Sequence, residues 1–449
     1  MRRHVLILGA TGVFGQRLAW HLARFENLRL VLAARGLERA ETLAAELRRD
    51  GCAAQGISLD RNNNLAAQLA ALRPWVVVDC TGPFQEADFT AAKAALSAGA
   101  HYIDLADAGD YLRSGPSELD ALARQAGCGA YLGASTTPAL SYAVAEHLSK
   151  GLAAVERIDI AITPGGRGEV GPAVIAAVLS YAGRPVPVWR QGRLQTALGW
   201  SDPRDIWIDG LGKRRVAMVE TYDAELLGQR LNVRDTVAFR AGLEAWPEQS
   251  GVEAIAWLRA KGWLGSCKAL VRPLVRLRAL TKWLGSDQGG MLVAMTGRDA
   301  AGHMQTRQWR LIARHGDGPN VPVMAAAAMI ARLQAGRAPD GAVLAADVLS
   351  LEEIEAQMQG YAIETMVENG PGLTAGQPVP AKPRVSLRRA RMKKNNPKSV
   401  RTNAARNGAP GSRTGVPSAV NSAKIEVMTS GEKIIAKAAT EVNIPCNSP

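Results

Sequence analysis

The stretch His4-Val-Leu-Ile-Leu-Gly9-Ala10-Thr11-Gly12-Val13-Phe14-Gly15 decides the fold. Val5 to Leu8 reads as a short buried strand, and a helix beginning near Gly12 runs to about Arg24. Gly9, Gly12 and Gly15 recur at a spacing of three, and each has a separate job. One permits the tight turn, one lets a pyrophosphate approach the backbone, and one lets helix and strand pack closely. The helix start offers unpaired N–H groups and a positive dipole end to the phosphates. Ala10, Thr11, Val13 and Phe14 complete the expected phosphate loop. The alternatives are a turn that binds nothing and a signal peptide opened by Arg2 and Arg3. Against the second, only four apolar residues precede the glycines, and no small-residue cleavage site follows at the right distance.

Leu28 to Arg35 reads as the next parallel strand and ends 20 residues beyond Gly15. A carboxylate there would hold a ribose 2′-hydroxyl. Arg35 stands there instead, with Arg39 one helical turn on, and a guanidinium binds a 2′-phosphate bidentately. NADP is therefore the expected cofactor; the alternative is a solvated arginine at a helix start. A helix over Leu37–Arg49 and a strand over Cys52–Leu59 follow. Asp60, at that strand's exit, would lie near the adenine amine or cap the helix Leu65–Leu72.

Pro74 to Phe84 is a continuous apolar run with a rigid exit, as in a parallel strand covered on both faces. Thr81, Gly82 and Pro83 should approach the ribose and nicotinamide, because ligands lie along the carboxyl edge of such sheets. A helix over Ala87–Ala98 leads to a strand from His101, whose exit presents Asp104 and Asp107. A helix over Ser117–Ala126, a strand over Gly129–Ser135 and a helix to about Lys150 complete the alternation. The fold expected over 1–150 is a doubly wound parallel sheet.

Tyr102, Asp104 and Asp107 are the leading candidates to position a carbonyl or donate a proton, with Ser135 and Tyr142 also near that edge. No tyrosine has a lysine four residues later, and neither Gly-x-Ser-x-Gly nor His-Glu-x-x-His occurs. His101, Asp104 and Asp107 would not converge on a strand exit, so no metal is expected. The five scattered cysteines form no C-x-x-C pair, which fits a reducing, cytoplasmic setting.

From Val155 the pattern changes to an α+β domain, expected over 151–368. Strands are expected at Glu156–Ile162, Arg215–Val219, Gly290–Gly297 and Met304–Arg314. Helices are expected at Val252–Ala260, Cys267–Leu284, Val323–Leu333 and Leu351–Met358. Eight of the ten tryptophans lie here, mostly as expected core, the rest lining an apolar substrate pocket. The segment 267–285 carries Lys268, Arg272 and Arg276 at helical spacing, with Trp283. It is either a membrane-surface helix or a solvated face. No apolar run reaches the roughly 18 residues of a membrane span.

The net charge of +13 belongs to the end of the chain: residues 371–449 hold 14 Lys/Arg against 3 Asp/Glu. The rest is nearly neutral, and nothing in it calls for a nucleic-acid partner. Residues 369–449 lack periodicity and read as a disordered basic tail.

Together, Gly9–Gly15, Leu32-Ala-Ala-Arg35, Val78-Asp-Cys-Thr-Gly-Pro-Phe84, His101–Asp107 and Ala134-Ser-Thr-Thr-Pro-Ala-Leu-Ser141 resemble the saccharopine dehydrogenase-like family, in its bacterial branch. The resemblance covers about residues 3–360, more loosely after 183. It implies an NADP-binding Rossmann domain and an α+β domain used for substrate and dimer contacts, with the last helices packing back on the first. The chain also looks like the trans-acting enoyl reductases of lipid assembly. Saccharopine enzymes need several basic groups for a dicarboxylic amino acid, and no such set is identifiable. The expected activity is NADPH-linked hydride transfer to a small or lipid-like carbonyl, imine or enoyl compound. The alternative is a non-catalytic NADP(H)-binding sensor or scaffold.

Overall fold

The computed structural model describes residues 2–369 apart from 62, 86 and 169. The basic tail expected beyond them lies outside the described residues. The first half runs β1 (Arg3–Leu8), α1 (Val13–Leu22), β2 (Leu28–Ala34), α2 (Leu37–Arg49), β3 (Ala54–Ser58), α3 (Leu65–Leu72), β4 (Val76–Asp79), α4 (Thr90–Ser97), β5 (His101–Asp104), α5 (Gly109–Gln125), β6 (Gly129–Leu132) and α6 (Ser141–Ser149). Next come β7 (Ala154–Thr163), α7 (Pro172–Tyr181), β8 (Pro185–Arg190), β9 (Arg193–Leu198), β10 (Arg204–Ile208), β11 (Gly212–Met218), α8 (Asp223–Arg230), β12 (Thr236–Ala241), α9 (Trp246–Ala260) and α10 (Val271–Thr281). The described chain closes with β13 (Gly289–Arg298), β14 (Met304–Ala313), α11 (Val321–Gln334), β15 (Gly341–Leu344), α12 (Leu351–Gln357) and β16 (Ile363–Asn369).

The first sheet has the order β15-β6-β5-β4-β1-β2-β3, and every pairing in it is parallel. Its central strands are apolar on both faces because helices cover both; Val5 to Leu8 and Val76 to Val78 are all buried. The second sheet is mixed, with the path β10-β11-β12-β7-β13-β14-β16 and β8–β9 joined beside β12. Between the sheets lies α11, whose Ala325–Ala328 are buried. Small side chains let this helix sit in the core all round, and one apolar cluster joins Val5 and Leu30 to Met324, Ile158 and Val293.

Several elements differ from expectation for identifiable reasons. Helix α5 starts at Gly109, not Ser117, and holds Pro116 inside. Gly115 looks like a breaker, yet a Cβ there would stand 2.3 Å from Leu132 Cδ1, so glycine serves close helix–sheet packing. The range 151–368 does not stay in the second sheet, since β15 returns to pair with β6. The tryptophans are less buried than expected. Trp200 and Trp309 are core and Trp189 is half-buried, whereas Trp207, Trp246, Trp257, Trp263 and Trp283 are exposed.

Candidate active site

The glycine-rich turn is built by close approach. Gly9 has φ +71°, and a Cβ on it would meet Thr81 Cγ2 at 3.0 Å, so the exits of β1 and β4 touch. A Cβ on Gly15 would lie 2.2 Å from Gly9 O, and one on Gly12 would lie 3.1 Å from the same oxygen. Ala10 N donates to Ala33 O (3.0 Å) and Gly12 N to Gly9 O (2.9 Å), which closes the turn. No side chain caps α1, whose N-cap is Gly12. Its first N–H groups, at Val13 and Phe14, therefore stand where a phosphate would find them. Gly12 is exposed and Thr11 half-buried, so the cradle is open. These residues fit a dinucleotide pyrophosphate.

Arg35 follows β2 directly and is exposed, as is Arg39. Asp60 follows β3, half-buried, and its carbonyl accepts from Asn63 N (3.0 Å). The N-cap of α3 is Asn64, so Asp60 is not that helix's cap. Arg61 carries no local sequence signal. Its Nη1 donates to Thr81 Oγ1 (2.6 Å) and lies 3.4 Å from Asp79 Oδ2, tying the β3 and β4 exits together. Asp79, fully buried at the end of β4, also accepts from Thr81 N (2.9 Å) and Thr81 Oγ1 (2.5 Å). It thereby shapes the Thr81-Gly82-Pro83 turn, in which the Gly82–Pro83 peptide is cis.

Two of the three expected catalytic side chains are swallowed by the fold. Tyr102 is 1% exposed, and its hydroxyl donates to Asp79 Oδ2 (3.3 Å) beside Tyr111 Oη (3.4 Å). Asp104 is fully buried; its carboxylate accepts from Gly133 N (2.7 Å), Tyr111 Oη (3.0 Å) and Ala106 N (3.1 Å). Burial pushes the Asp104 carboxyl up to about 7, against the pull of these three donors. Both groups brace the carboxyl edge, because their strand positions point into the layer between sheet and α5. Neither side chain is open to solvent. Ser135 is 9% exposed and Tyr142 half-buried. His101 accepts from Gly129 N at Nδ1 (2.9 Å), a structural bond. Among the described residues no group of three or more His, Cys, Asp or Glu side chains is placed to hold a metal ion.

Asp107 differs from that pair. It is half-buried beyond the end of β5, and Gln85 Nε2 donates to its Oδ1 (3.1 Å). Burial raises its carboxyl above the usual range. The second half of the chain brings further groups to it. The Asp107 carboxylate adds to the burial that raises Tyr181, at the end of α7, and Glu220, beyond β11. Asp223, opening α8, is fully buried; burial lifts it to about 6 although Ser141 Oγ donates to it. Tyr181 and Glu220 carry no local sequence signal, because long-range packing alone brings them here.

Helix α7 runs between the glycine-rich turn and this group of side chains. Its N-cap, Gly171, lies against Val13 of the glycine-rich turn, and its last residue is Tyr181, which feels Asp107. Val174, Ile175, Ala176, Ala177 and Val178 are each half-buried. A separate cavity of about 570 Å³ is lined by Arg157, Arg190, Arg204 and Arg240. It lies on the other face of the second sheet, because Arg157 and Arg240 alternate with the core residues Ile158 and Phe239. Asp159 and Asp202 pair with Arg240 there.

Residues 5–130 match the saccharopine dehydrogenase NADP-binding domain. No curated protein matches the chain. Saccharopine dehydrogenase (L-Glu forming) from Saccharomyces cerevisiae shares the fold, with a TM-score of 0.56 at 15% identity over 82% of this chain and 100% of that one. An engineered D-amino acid dehydrogenase bound to NADP+ gives a TM-score of 0.43 at 14% identity, covering 79% of this chain and 96% of that one. A meso-dapdh mutant with DAP from Clostridium tetani gives 0.40 at 12% identity, with 79% and 96% covered. The parallel sheet and the glycine-rich turn thus belong to a segment, residues 5–130, that matches the saccharopine dehydrogenase NADP-binding domain, and the chain as a whole shares the fold of the yeast enzyme.

Proposed function

We propose that this protein is an NADPH-linked oxidoreductase acting on a carbonyl, imine or enoyl group of an apolar, lipid-like substrate. The observation that carries this reading is α7, an apolar helix running from the glycine-rich turn at Gly171 to Asp107 at Tyr181. Its ten residues span about 15 Å at 1.5 Å each. They give the cleft an apolar wall suited to an acyl or other hydrocarbon chain.

A bound nicotinamide supplies the hydride. The protein's part is to bind, orient and protonate. The N–H groups at the start of α1 hold the pyrophosphate, and Arg35 meets the 2′-phosphate. Asp107, kept protonated more readily by burial, delivers a proton to the oxygen, nitrogen or α-carbon beside the reduced centre, and Gln85 orients it. Tyr181 and the α7 side chains exclude water from that end of the cleft.

The test is calorimetric titration of the full chain with NADPH and NADH. NADPH oxidation is then followed with ketones, imines and 2-enoyl thioesters of graded chain length. The expected result is NADPH binding, turnover that rises with apolar chain length, and a loss of about a hundredfold or more in kcat for Asp107→Asn. NADPH affinity should be unchanged in that variant. Tight NADPH binding with no turnover across the panel would favour the sensor or scaffold reading instead.

A further inference from the structure

Helices α9 and α10 form an αα-hairpin. Glu248, in the first turn of α9, accepts from Arg278 and from Thr281 Oγ1 (2.5 Å) near the end of α10. The links at 261–270 close its other end. The four most exposed large apolar side chains among the described residues lie on this hairpin. Trp246 is 75% exposed, Trp263 71%, Trp283 73% and Leu280 71%. Helix α10 has no buried residue at all. Arg272, Arg276, Leu277 and Leu280 are all exposed and lie within one outward arc of its helical wheel.

Charge identifies the occupant. Residues 254–286 contain seven Lys/Arg and no Asp or Glu. Two of these cations have structural tasks: Arg259 donates to the carbonyls of Leu179, Ser180 and Ala182, and Arg278 holds Glu248. Lys261, Arg272, Arg276 and Lys282 are exposed on the same stretch of chain as Trp257, Trp263 and Trp283. A second copy docked through this face would set its unbalanced cations against themselves, and protein interfaces deplete charge at their centres. Exposed Trp and Leu interleaved with Lys and Arg instead match the headgroup region of an anionic bilayer, which takes amphipathic rings and cations together.

We propose that the α9–α10 hairpin docks this protein on an anionic lipid surface. No helix among the described residues is long and apolar enough to cross a membrane, so the contact is interfacial. Arg278 also donates to Gly166 O (3.2 Å) and Gly168 O (3.3 Å). The hairpin is thereby tied to the loop that leads into α7, and docking sets the cleft's apolar wall near the lipid. The inference stands without the NADPH reading.

The experiment uses the full chain with vesicles of phosphatidylcholine alone, or of phosphatidylcholine and phosphatidylglycerol in equal parts, each with brominated acyl chains. Every tryptophan lies at or before Trp309, so quenching reports the folded body even if the basic residues after 370 also bind. The expected result is quenching by the anionic vesicles only. Binding should weaken about tenfold or more in Arg272→Glu/Arg276→Glu and in Leu277→Ser/Leu280→Ser. Circular dichroism and NADPH affinity should be unchanged in both. Vesicle binding without quenching, or equal quenching in both variants, overturns the proposal. So does a dimer in sedimentation equilibrium that the variants dissolve, which would make this face a contact between copies.

Discussion

Gly171 lies against Val13: a Cβ added to Gly171 would stand 3.4 Å from Val13 Cγ2. The second half of the chain therefore touches the glycine-rich turn where α7 begins. Gly171 has φ −74°, so a side chain brings no backbone strain, and 3.4 Å is ordinary contact. Gly171→Ala should cost about 1 kcal/mol or less, the usual loss at an N-cap. Gly171→Leu must push the start of α7 away from Val13. We expect its KM for substrate to rise about tenfold, with a melting temperature close to that of Gly171→Ala. Equal KM values would show that α7 does not wall the cleft.

Gly15→Ala tests the turn itself. Alanine is the better helix former by about 1 kcal/mol. Its Cβ would nonetheless stand 2.2 Å from Gly9 O and 2.8 Å from Ala10 Cα, and backbone atoms cannot swing aside as a side chain can. The overpacking cost of about 1–3 kcal/mol should win. Urea unfolding should show the loss, and calorimetry should show NADPH affinity down by about tenfold or more. An alanine variant that binds NADPH as tightly as the unsubstituted chain would remove this turn from the cofactor site.

Arg35→Asp addresses cofactor choice. A charge-assisted bond to a phosphate contributes about 1.5–3 kcal/mol, so NADPH affinity should fall roughly tenfold to a hundredfold. NADH affinity should hold or improve, because the new carboxylate can accept from a ribose hydroxyl. Parallel losses for both cofactors would mean that Arg35 does not read the 2′ position. Stability should be unaffected, since Arg35 is exposed.

Asp104 makes stability depend on pH. Its carboxyl titrates at about 7 in the folded chain, above the ordinary 3.8. The folded state therefore binds this proton more tightly than the unfolded state. The resulting stability is fully present below the ordinary carboxylate range and is lost as pH rises through about 7. One proton accounts for at most about 1.4 kcal/mol per pH unit. In Asp104→Asn the amide oxygen still accepts from Ala106 N and Gly133 N, and no proton is bound. Urea midpoints measured from weakly acidic to neutral pH should fall less steeply in the variant. Asp223, lifted to about 6, contributes the same sign and remains in both proteins. An unchanged slope would refute the assignment.

Local signals carried much of the fold. The bounds Leu37–Arg49 and Leu65–Leu72, read from apolar spacing, are those observed. Gly9, Gly12 and Gly15 predicted both the turn and its close contacts, because a missing Cβ is written directly in the sequence. The region 172–241 was legible only in part. Of its elements only β11 was anticipated, because short strands and apolar helices such as α7 look alike over ten residues. The burial of Tyr102 and Asp104 was not legible for a related reason. Strand spacing placed Tyr102, Asp104 and Asp107 at one edge, but it carries no information on what covers that edge.

The sequence by itself determined the parallel βα alternation, the glycine-rich turn, Arg35 at the β2 exit and the basic, tryptophan-bearing segment 267–285. Each rests on residues near one another in the chain, where backbone geometry and periodicity suffice. Only the tertiary structure decided that Tyr111 from α5 seals Asp104 and Tyr102 inside. It also decided that α7 crosses from Val13 toward Asp107, that β15 returns to the first sheet, and that five of the eight tryptophans beyond Val155 face water. Those outcomes depend on which distant surfaces meet, and burial is a property of the neighbour as much as of the residue.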